Sequence, residues 1–287
     1  MKNVAGIVVF YNPTSENWGN ILTYINAIKK LYIVDNSDKS IANFGENLDA
    51  LKLETKTIIS YLPNQGNRGI ASALNIGCQK AINDGFDFVL TMDQDSRFDD
   101  LSIFQFLDLA SSQLATDFGV FSPYQNKFKA IQEEMEFSEV KTTMTSGNIL
   151  SLRAYQKIGR FRESFFIDYV DHEYCLRLRK NKYKIIQCNR ILLNHQLGDS
   201  RVVKFLTREI AVSNHSPLRR YYITRNRFAL ISDYFFFDPN FCVHEIYIQM
   251  KEIIKIILVE RQKLRKIKYS LIGFIDFLAS KSGKFNA

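Results

Sequence analysis

Phe86-Asp-Phe-Val-Leu-Thr-Met-Asp-Gln-Asp-Ser96 couples an apolar run of strand length to two carboxylates one residue apart. Strand side chains alternate, so residues i and i+2 share a side, and Asp93 and Asp95 are expected to bring two carboxylates together. Such a pair repels itself unless a cation sits beside the oxygens. A hard divalent ion that also holds a diphosphate, Mg²⁺ or Mn²⁺, is the expected solution. An Asp-x-Asp pair alone is as readily a solvated turn. Its place directly after a buried strand gives it weight.

Upstream, apolar runs of strand length alternate with segments of helical periodicity. The expected strands are Val4 to Phe10, Lys30 to Val34, Thr57 to Tyr61 and Phe86 to Met92, with helices over Trp18 to Ile28, Ile41 to Leu53 and Ile70 to Asp84. This order predicts an α/β fold with parallel strands joined by crossover helices. Each strand runs into a polar turn: Tyr11-Asn-Pro13, Asp35-Asn-Ser37, Asn64-Gln-Gly-Asn-Arg-Gly69 and Asp93-Gln-Asp-Ser96. In an open parallel sheet these turns share the edge at which ligands bind. A helix over Leu101 to Leu114, a strand around Phe118 to Ser122 and a Ser146-Gly147-Asn148 turn follow, and then a long Lys-rich helical stretch from the aromatic patch Tyr234 to Phe237 to about Lys268.

The chain has 287 residues and is 46% hydrophobic, enough to fill a sizeable core. Its net charge of +8 suits an acidic partner: a phosphorylated small molecule, an anionic membrane or nucleic acid. Cys78, Cys175, Cys188 and Cys242 have no metal-ribbon spacing and suit a reducing cytosol. The run from Val4 to Phe10 is too short for a signal peptide and reads as a strand. Lys251, Glu252 and Lys255 interrupt the best candidate for a membrane span, which predicts a soluble or peripheral protein.

Other residues carry chemistry with an equally plain structural reading. Asp35 can accept from a base or a ribose hydroxyl, or close a turn. The segment Asn64 to Gly69 offers glycines, backbone N–H groups and Arg68 to phosphate, or simply starts a helix. Asp168, Asp171 and Glu173 stand at the start of a helix, where carboxylates are favourable without any catalytic role. His195 can join two carboxylates around Mn²⁺. The cluster Arg219-Arg-Tyr-Tyr-Ile-Thr-Arg-Asn-Arg227 suits phosphates, rings or nucleic acid.

In order, Val8 to Pro13, Val34 to Ser37, Asn64 to Gly69 with Asn75, Met92 to Ser96, Ser146 to Asn148, the Asp171 segment, His195 to Asp199 and Tyr221 to Asn226 resemble the inverting family 2 glycosyltransferases of GT-A fold, and among them the rhamnosyltransferase-like members that use dTDP-L-rhamnose. The resemblance spans about residues 4 to 230. It implies a mostly parallel central sheet flanked by helices, with a glycosyltransferase domain over 1–235 and a basic helical extension over 236–287. The nucleotide-sugar half would cover about 1–98 and the acceptor half about 99–235.

It further implies that Tyr11, Asn12, Asp35, Asn67, Arg68, Asn75, Asp93, Gln94 and Asp95 hold the nucleotide sugar. Ser146, Gly147, Asn148, Glu173, Arg177, Tyr222 and Arg225 would face the acceptor or the donor phosphates. Asp93, Asp95 and His195 would hold the metal, and Asp171 would be the general base. The family's Glu-Asp pair stands here as Val170-Asp171, with Asp168 the nearest acidic substitute. The implied partners are a nucleotide-diphosphate sugar and a glycan or lipid-linked glycan, with no nucleic acid. The basic stretch 251–268 would touch an anionic membrane, pack on the domain, or join two copies. A cytoplasmic enzyme, peripheral on the inner membrane face, is the expected setting.

Two other classes fit parts of the pattern. A nucleotidyltransferase making a sugar nucleotide also places carboxylates at a sheet edge, but the N-terminal Gly-rich loop with following Arg and Lys that grips a triphosphate is missing here. A non-enzymatic protein binding nucleic acid or nucleotide sugars would use the positive charge alone, with strongly salt-dependent affinity.

Overall fold

The computed structural model describes the chain except residues 1–2, 40, 42, 100, 126–134, 196–200, 206–207 and 286–287. In chain order the elements are β1 (Val4–Phe10), α1 (Ser15–Leu22), β2 (Lys30–Asp35), α2 (Phe44–Leu53), β3 (Ile58–Pro63), α3 (Ile70–Asn83), β4 (Phe88–Asp93), β5 (Ser96–Phe98), α4 (Ser102–Ser112), β6 (Phe118–Tyr124), β7 (Phe137–Glu139), β8 (Asn148–Ser151), α5 (Leu152–Ile158), α6 (Val170–Lys180), β9 (Lys184–His195), β10 (Arg201–Phe205), β11 (Arg208–Val212), α7 (Pro217–Tyr234), α8 (Pro239–Leu258) and α9 (Lys263–Leu278). They form two compact units, one of residues 1–163 and 174–196, the other of 164–173 and 197–287.

The first unit is built on one sheet in the order β3-β2-β1-β4-β8-β6-β9-β5, with β7 also on β9. Strands β3, β2, β1 and β4 are parallel, as the alternation of strands and helices predicts. Strand β1 is buried along its whole length, the pattern of a central parallel strand covered on both faces. Beyond β4 the sheet is mixed: β8 runs antiparallel to β4 and β6, and β5 and β7 antiparallel to β9. Trp18, Ile21, Phe98, Phe106 and Phe121 belong to a core that spans the strands and their helices.

The expected helix from Trp18 to Ile28 is shorter. It ends at Leu22, and a 3₁₀ turn, Ile25–Ala27, leads into β2. The Asp-x-Asp pair also differs from the expected alternation. Strand β4 stops at Asp93 and β5 begins at Ser96, so Asp95 sits in the intervening turn.

The second unit holds the antiparallel hairpin β10–β11 and the helices α7, α8 and α9. Helix α7 therefore groups with α8 and α9 in this unit. The reason is ionic. Arg220 pairs with Glu260 (2.8 Å) and Glu252 (3.2 Å), Arg227 with Glu245 (3.1 Å) and Glu252 (3.0 Å), and Lys266 with Glu260 (2.8 Å). Helix α9 approaches α7 at Gly273, where a Cβ would collide with the backbone carbonyl of Tyr221.

The long Lys-rich helix expected to reach Lys268 is instead two helices. The chain turns at residues 259–262 to deliver Glu260 between Arg220 and Lys266, with Gln262 in the left-handed region at φ 55°. No helix among the described residues is long and apolar enough to cross a membrane. The four cysteines are buried and form no disulfide among the described residues.

Removing one partner from a buried ion pair leaves an uncompensated charge, at a cost of about 3–5 kcal/mol. Glu260 serves both Arg220 and Lys266 and is almost fully buried. Glu260→Ala is therefore expected to lose about that much stability in a urea titration. A loss below about 1 kcal/mol would contradict the ionic account of this unit.

Candidate active site

The turns after β1, β2, β3 and β4 meet at one sheet edge. Side-chain amides and hydroxyls stitch them together. The backbone N–H of Tyr11 donates to Gln94 Oε1 (2.8 Å), and Gln94 Nε2 donates back to the Tyr11 carbonyl (3.2 Å). The N–H of Asn12 donates to Ser37 Oγ (2.8 Å). Asn64 Nδ2 and the N–H of Arg68 both donate to Asn36 Oδ1, at 2.8 and 3.0 Å. Asn36 Nδ2 donates to Asn67 Oδ1 (3.1 Å). Asp35 is buried, accepting from the Ser37 N–H (2.9 Å) and from the Tyr61 hydroxyl (2.7 Å). Burial, the Asp35 hydrogen bond and the Asp35 charge push the Tyr61 hydroxyl pKa well up. Arg68 and Tyr11 present exposed side chains at this edge.

The metal-ligand candidates converge at the end of β4. Asp93, Asp95 and His195 each offer a ligand atom, and these atoms lie within 4.8 Å of one another. Pairing of β5 with β9 sets His195 opposite Ser96, which is how a histidine a hundred residues downstream arrives beside Asp95. Its Nδ1 lies 3.4 Å from Asp95 Oδ1 and 2.7 Å from Ser96 Oγ. Ser146 Oγ donates to Ser96 Oγ (2.8 Å) and accepts from the backbone N–H of Asp93 (3.0 Å). Two serines thus tie both ends of the acidic turn to the imidazole. The middle of the turn is fixed by Asn17 and Asn20 of α1, whose amides donate to the Gln94 carbonyl at 3.1 and 2.9 Å.

Gly147 is needed twice over: its φ is +80°, and a Cβ there would meet Leu193 Cδ2 and Pro123 Cγ at 2.8 Å. Its N–H donates to the Thr91 carbonyl (2.7 Å), which sets Ser146 against β4. Asn148 is buried beside it and donates to the Met144 carbonyl (2.7 Å).

Two residues expected at the ligand are otherwise engaged. Asn75 is fully buried; its amide donates to the Phe161 carbonyl (2.9 Å) and Glu163 (2.8 Å), and its oxygen accepts from Tyr155 (2.9 Å) and the Phe161 N–H (2.8 Å). It is a tether for residues 155–163, its hydrogen-bonding capacity already matched within the protein. Arg177 donates to the Ile158 carbonyl (3.2 Å) and lies over the Tyr174 ring.

Within the second unit, the segment before α6 is strained. Phe166, Asp168 and Tyr169 have φ of 65°, 61° and 65°, a region non-glycine residues seldom occupy. Helix α7 clamps it. Asn226 Nδ2 donates to the carbonyls of Phe165 (2.9 Å), Ile167 (2.8 Å) and Asp168 (3.0 Å). Arg225 donates to the carbonyls of Phe165 (3.2 Å), Ser164 (3.3 Å) and Gly283 (2.8 Å). Arg227 holds the Tyr169 hydroxyl, which also donates to Glu245.

Arg225 and Tyr222, expected at a ligand, are thus buried parts of this scaffold; the Tyr222 hydroxyl accepts from the Phe285 N–H (2.7 Å). Glu173 is buried too, accepting from the Tyr234 hydroxyl (2.9 Å). Asp168 is bound by Arg219 (3.0 and 3.1 Å); burial raises its pKa against the pull of that guanidinium.

The clamped segment presents Asp171, which is half-buried. Its Oδ1 accepts from the His172 N–H (2.8 Å) and faces His172 Nδ1 at 2.9 Å. Burial would raise the Asp171 pKa, but the His172 charge and hydrogen bonds outweigh it and hold the carboxyl below its ordinary range. For His172, burial works downward and the neighbouring Asp171 prevails, so its pKa is raised.

The sequence profile of glycosyl transferase family 2 matches residues 7–184. The chain belongs to this family and is a glycosyltransferase. It is 26% identical to dTDP-rhamnosyl transferase RfbF of Shigella flexneri over 100% of this chain and 99% of that protein. It is 22% identical to the low-salt glycan biosynthesis hexosyltransferase Agl10 of Haloferax volcanii over 66% of each. Among solved structures, S. aureus TarS superposes with a TM-score of 0.59 at 16% identity, covering 98% of this chain and 49% of TarS. GalNAc-T7 with UDP, GalNAc and Mn²⁺ gives 0.54 at 11% identity, over 67% of this chain and 43% of that one. These likenesses establish the GT-A glycosyltransferase fold.

Asn226→Ala is expected to release the strained segment ahead of α6. The transferase should lose at least about tenfold in kcat while nucleotide-sugar affinity stays within about twofold, because the Asn226 amide is spent on the carbonyls of the segment. Unchanged kcat would show that the clamp does not matter to Asp171.

Proposed function

We propose that the chain transfers L-rhamnose from dTDP-L-rhamnose, with inversion, to a hydroxyl of a growing cell-surface polysaccharide or lipid-linked glycan. The observation that carries the chemistry is the gathering of Asp93, Asp95 and His195 at the carboxyl edge of the parallel strands. The full-length likeness to a dTDP-rhamnosyl transferase supports the choice of donor. The reaction is assigned to the cytoplasm, with the enzyme peripheral at the inner face of the membrane.

In this reading the nucleotide lies along the edge formed by Tyr11, Asn12, Asp35, Asn67, Arg68 and Gln94, with Arg68 near the diphosphate. Asp93, Asp95 and His195 would hold the metal. Two carboxylates and an imidazole are a donor set that Mn²⁺ accepts well, and Mg²⁺ favours the oxygens alone. When bound, such an ion offsets the charge that develops on the leaving diphosphate.

Asp171 takes the proton from the acceptor hydroxyl as that oxygen forms its bond to the anomeric carbon. The bond from that carbon to the diphosphate oxygen breaks on the opposite face, and dTDP departs. Ser146 and Asn148 support the reaction by fixing β8 against the acidic turn. Glu173, Tyr222 and Arg225 act as scaffold for the segment that carries Asp171, and the same reading gives Asn75 and Arg177 structural roles.

A general base of this kind contributes roughly 10²- to 10⁴-fold. Asp171→Asn is expected to lose kcat by about that factor with donor affinity unchanged. NMR of the product should show an anomeric configuration opposite to that of the donor. Retained configuration, or transfer from UDP-glucose in preference to dTDP-L-rhamnose, would overturn the assignment.

Asp171 must be ionised to act, and its low pKa places the acid limb of the kcat/KM profile below the ordinary aspartate range. His172 is faced by Tyr169, by Phe241 of α8 and by the charges of Glu245 and Arg227. Replacing His172 by Gln removes the nearby positive charge and leaves the burial. The acid limb should therefore move to higher pH, and a limb that stays in place would separate Asp171 from the rate-determining ionisation.

A further inference from the structure

Helices α8 and α9 are inside out. Helix α8 turns Glu245, Gln249 and Glu252 toward the arginines of α7 and leaves Val243, Tyr247, Met250, Ile254 and Ile257 exposed. These five recur at alternating steps of four and three residues, which on a helix is one continuous stripe. Helix α9 repeats the arrangement: Lys266, Ser270, Gly273 and Asp276 are buried, while Leu264, Leu271, Ile275 and Leu278 are exposed. A helix bounded by water takes the opposite rotation. Here the buried ion pairs, costly to break, lock α8 with its apolar side outward. Just before it, Phe236 is 97% exposed.

The exposed charge of the Asp/Glu/Lys/Arg residues from α8 through α9 has one sign. Lys251, Arg261, Lys263, Arg265 and Lys268 are exposed. Every acidic residue between 239 and 278 is turned inward and paired: Glu245 and Glu252 with arginines of α7, Glu260 with Arg220 and Lys266, and Asp276 with Lys281. A continuous apolar stripe whose exposed charged neighbours on these helices are all cations complements a surface that is apolar beneath and anionic above. A second copy meeting the same face about a twofold axis would set cation against cation.

We propose that the outer faces of α8 and α9 seat on an anionic lipid bilayer, the stripe entering the acyl boundary and the lysines and arginines meeting lipid phosphates. The surface differs from the 251–268 segment that the sequence marks: it begins near Phe236, excludes the buried Lys266 and runs to Leu278. It deepens the reading of a lipid-linked acceptor, and rests on that reading only for its purpose.

The test is flotation of the full chain, without sugar nucleotide, with vesicles of phosphatidylcholine alone or mixed with phosphatidylglycerol. Binding should be at least about tenfold tighter to the anionic vesicles and weaken as salt rises. Met250→Glu with Ile254→Glu should lower it about tenfold. Lys263→Glu with Arg265→Glu should remove the preference for anionic lipid. Both pairs lie on the exposed surface, so circular-dichroism melting should be unchanged.

Equal retention by both vesicle types would overturn the proposal. So would a stable dimer in light scattering that Met250→Glu converts to monomer, which would assign the face to a second copy. Transfer to a water-soluble acceptor reads the reaction separately: a chain that transfers sugar but ignores vesicles loses this proposal alone, and the reverse result loses the reaction alone.

Discussion

Two carboxylates one residue apart, held at the end of a buried strand, repel each other, and the sheet edge is organised around containing them. Asp93 is fixed through its backbone to Ser146, and Ser146 reaches Ser96, which meets His195. The turn's central carbonyl is held by Asn17 and Asn20. These partners come from α1, from the turn into β8, from β5 and from β9, so the order of the mixed half of the sheet is what brings the imidazole to the carboxylates. A site positioned this way before its ligand arrives loses little ordering entropy on binding.

The second unit solves a different problem with similar means. It must hold an aspartate on a segment whose backbone is strained at three residues. Side chains of α7 hold that segment through its carbonyls, and α7 is itself locked to α8 and α9 by buried ion pairs. Buried pairs contribute little net stability over apolar packing, but they penalise any other rotation of the helices. That specificity turns the apolar residues of α8 and α9 outward, so the scaffold of Asp171 and the outer surface of the C-terminal helices share one cause.

The parallel half of the fold was legible because each strand there is a short apolar run ending in a polar turn; β1 has the bounds its sequence predicts. Asp93, Asp95 and His195 were legible as candidate ligands because few residue types serve a hard cation, and the fold brings their ligand atoms within 4.8 Å of one another. Their geometry was not, since the turn at Gln94 and the β5–β9 pairing depend on contacts across the whole chain. Asn75 and Arg225 show the limit most plainly. An amide or a guanidinium in a motif reads as a ligand contact, yet its hydrogen bonds are filled by carbonyls that no local pattern identifies. Asn17 was passed over for the same reason, and Ser96 and Asn226 were read only as parts of their motifs, without roles of their own. The break between α8 and α9 has no Pro or Gly to mark it and follows from the inward turn of Glu260.

In the proposed reaction, the edge carrying Asp93, Asp95 and His195 binds a nucleotide diphosphate through a divalent ion. Calorimetric titration with dTDP, with and without Mn²⁺, on the wild-type chain and on Asp95→Ala measures this directly. Binding is expected to tighten at least about tenfold with Mn²⁺ in the wild type, with that gain absent in Asp95→Ala. Equal affinity with and without metal, or a metal effect that survives Asp95→Ala, would contradict it.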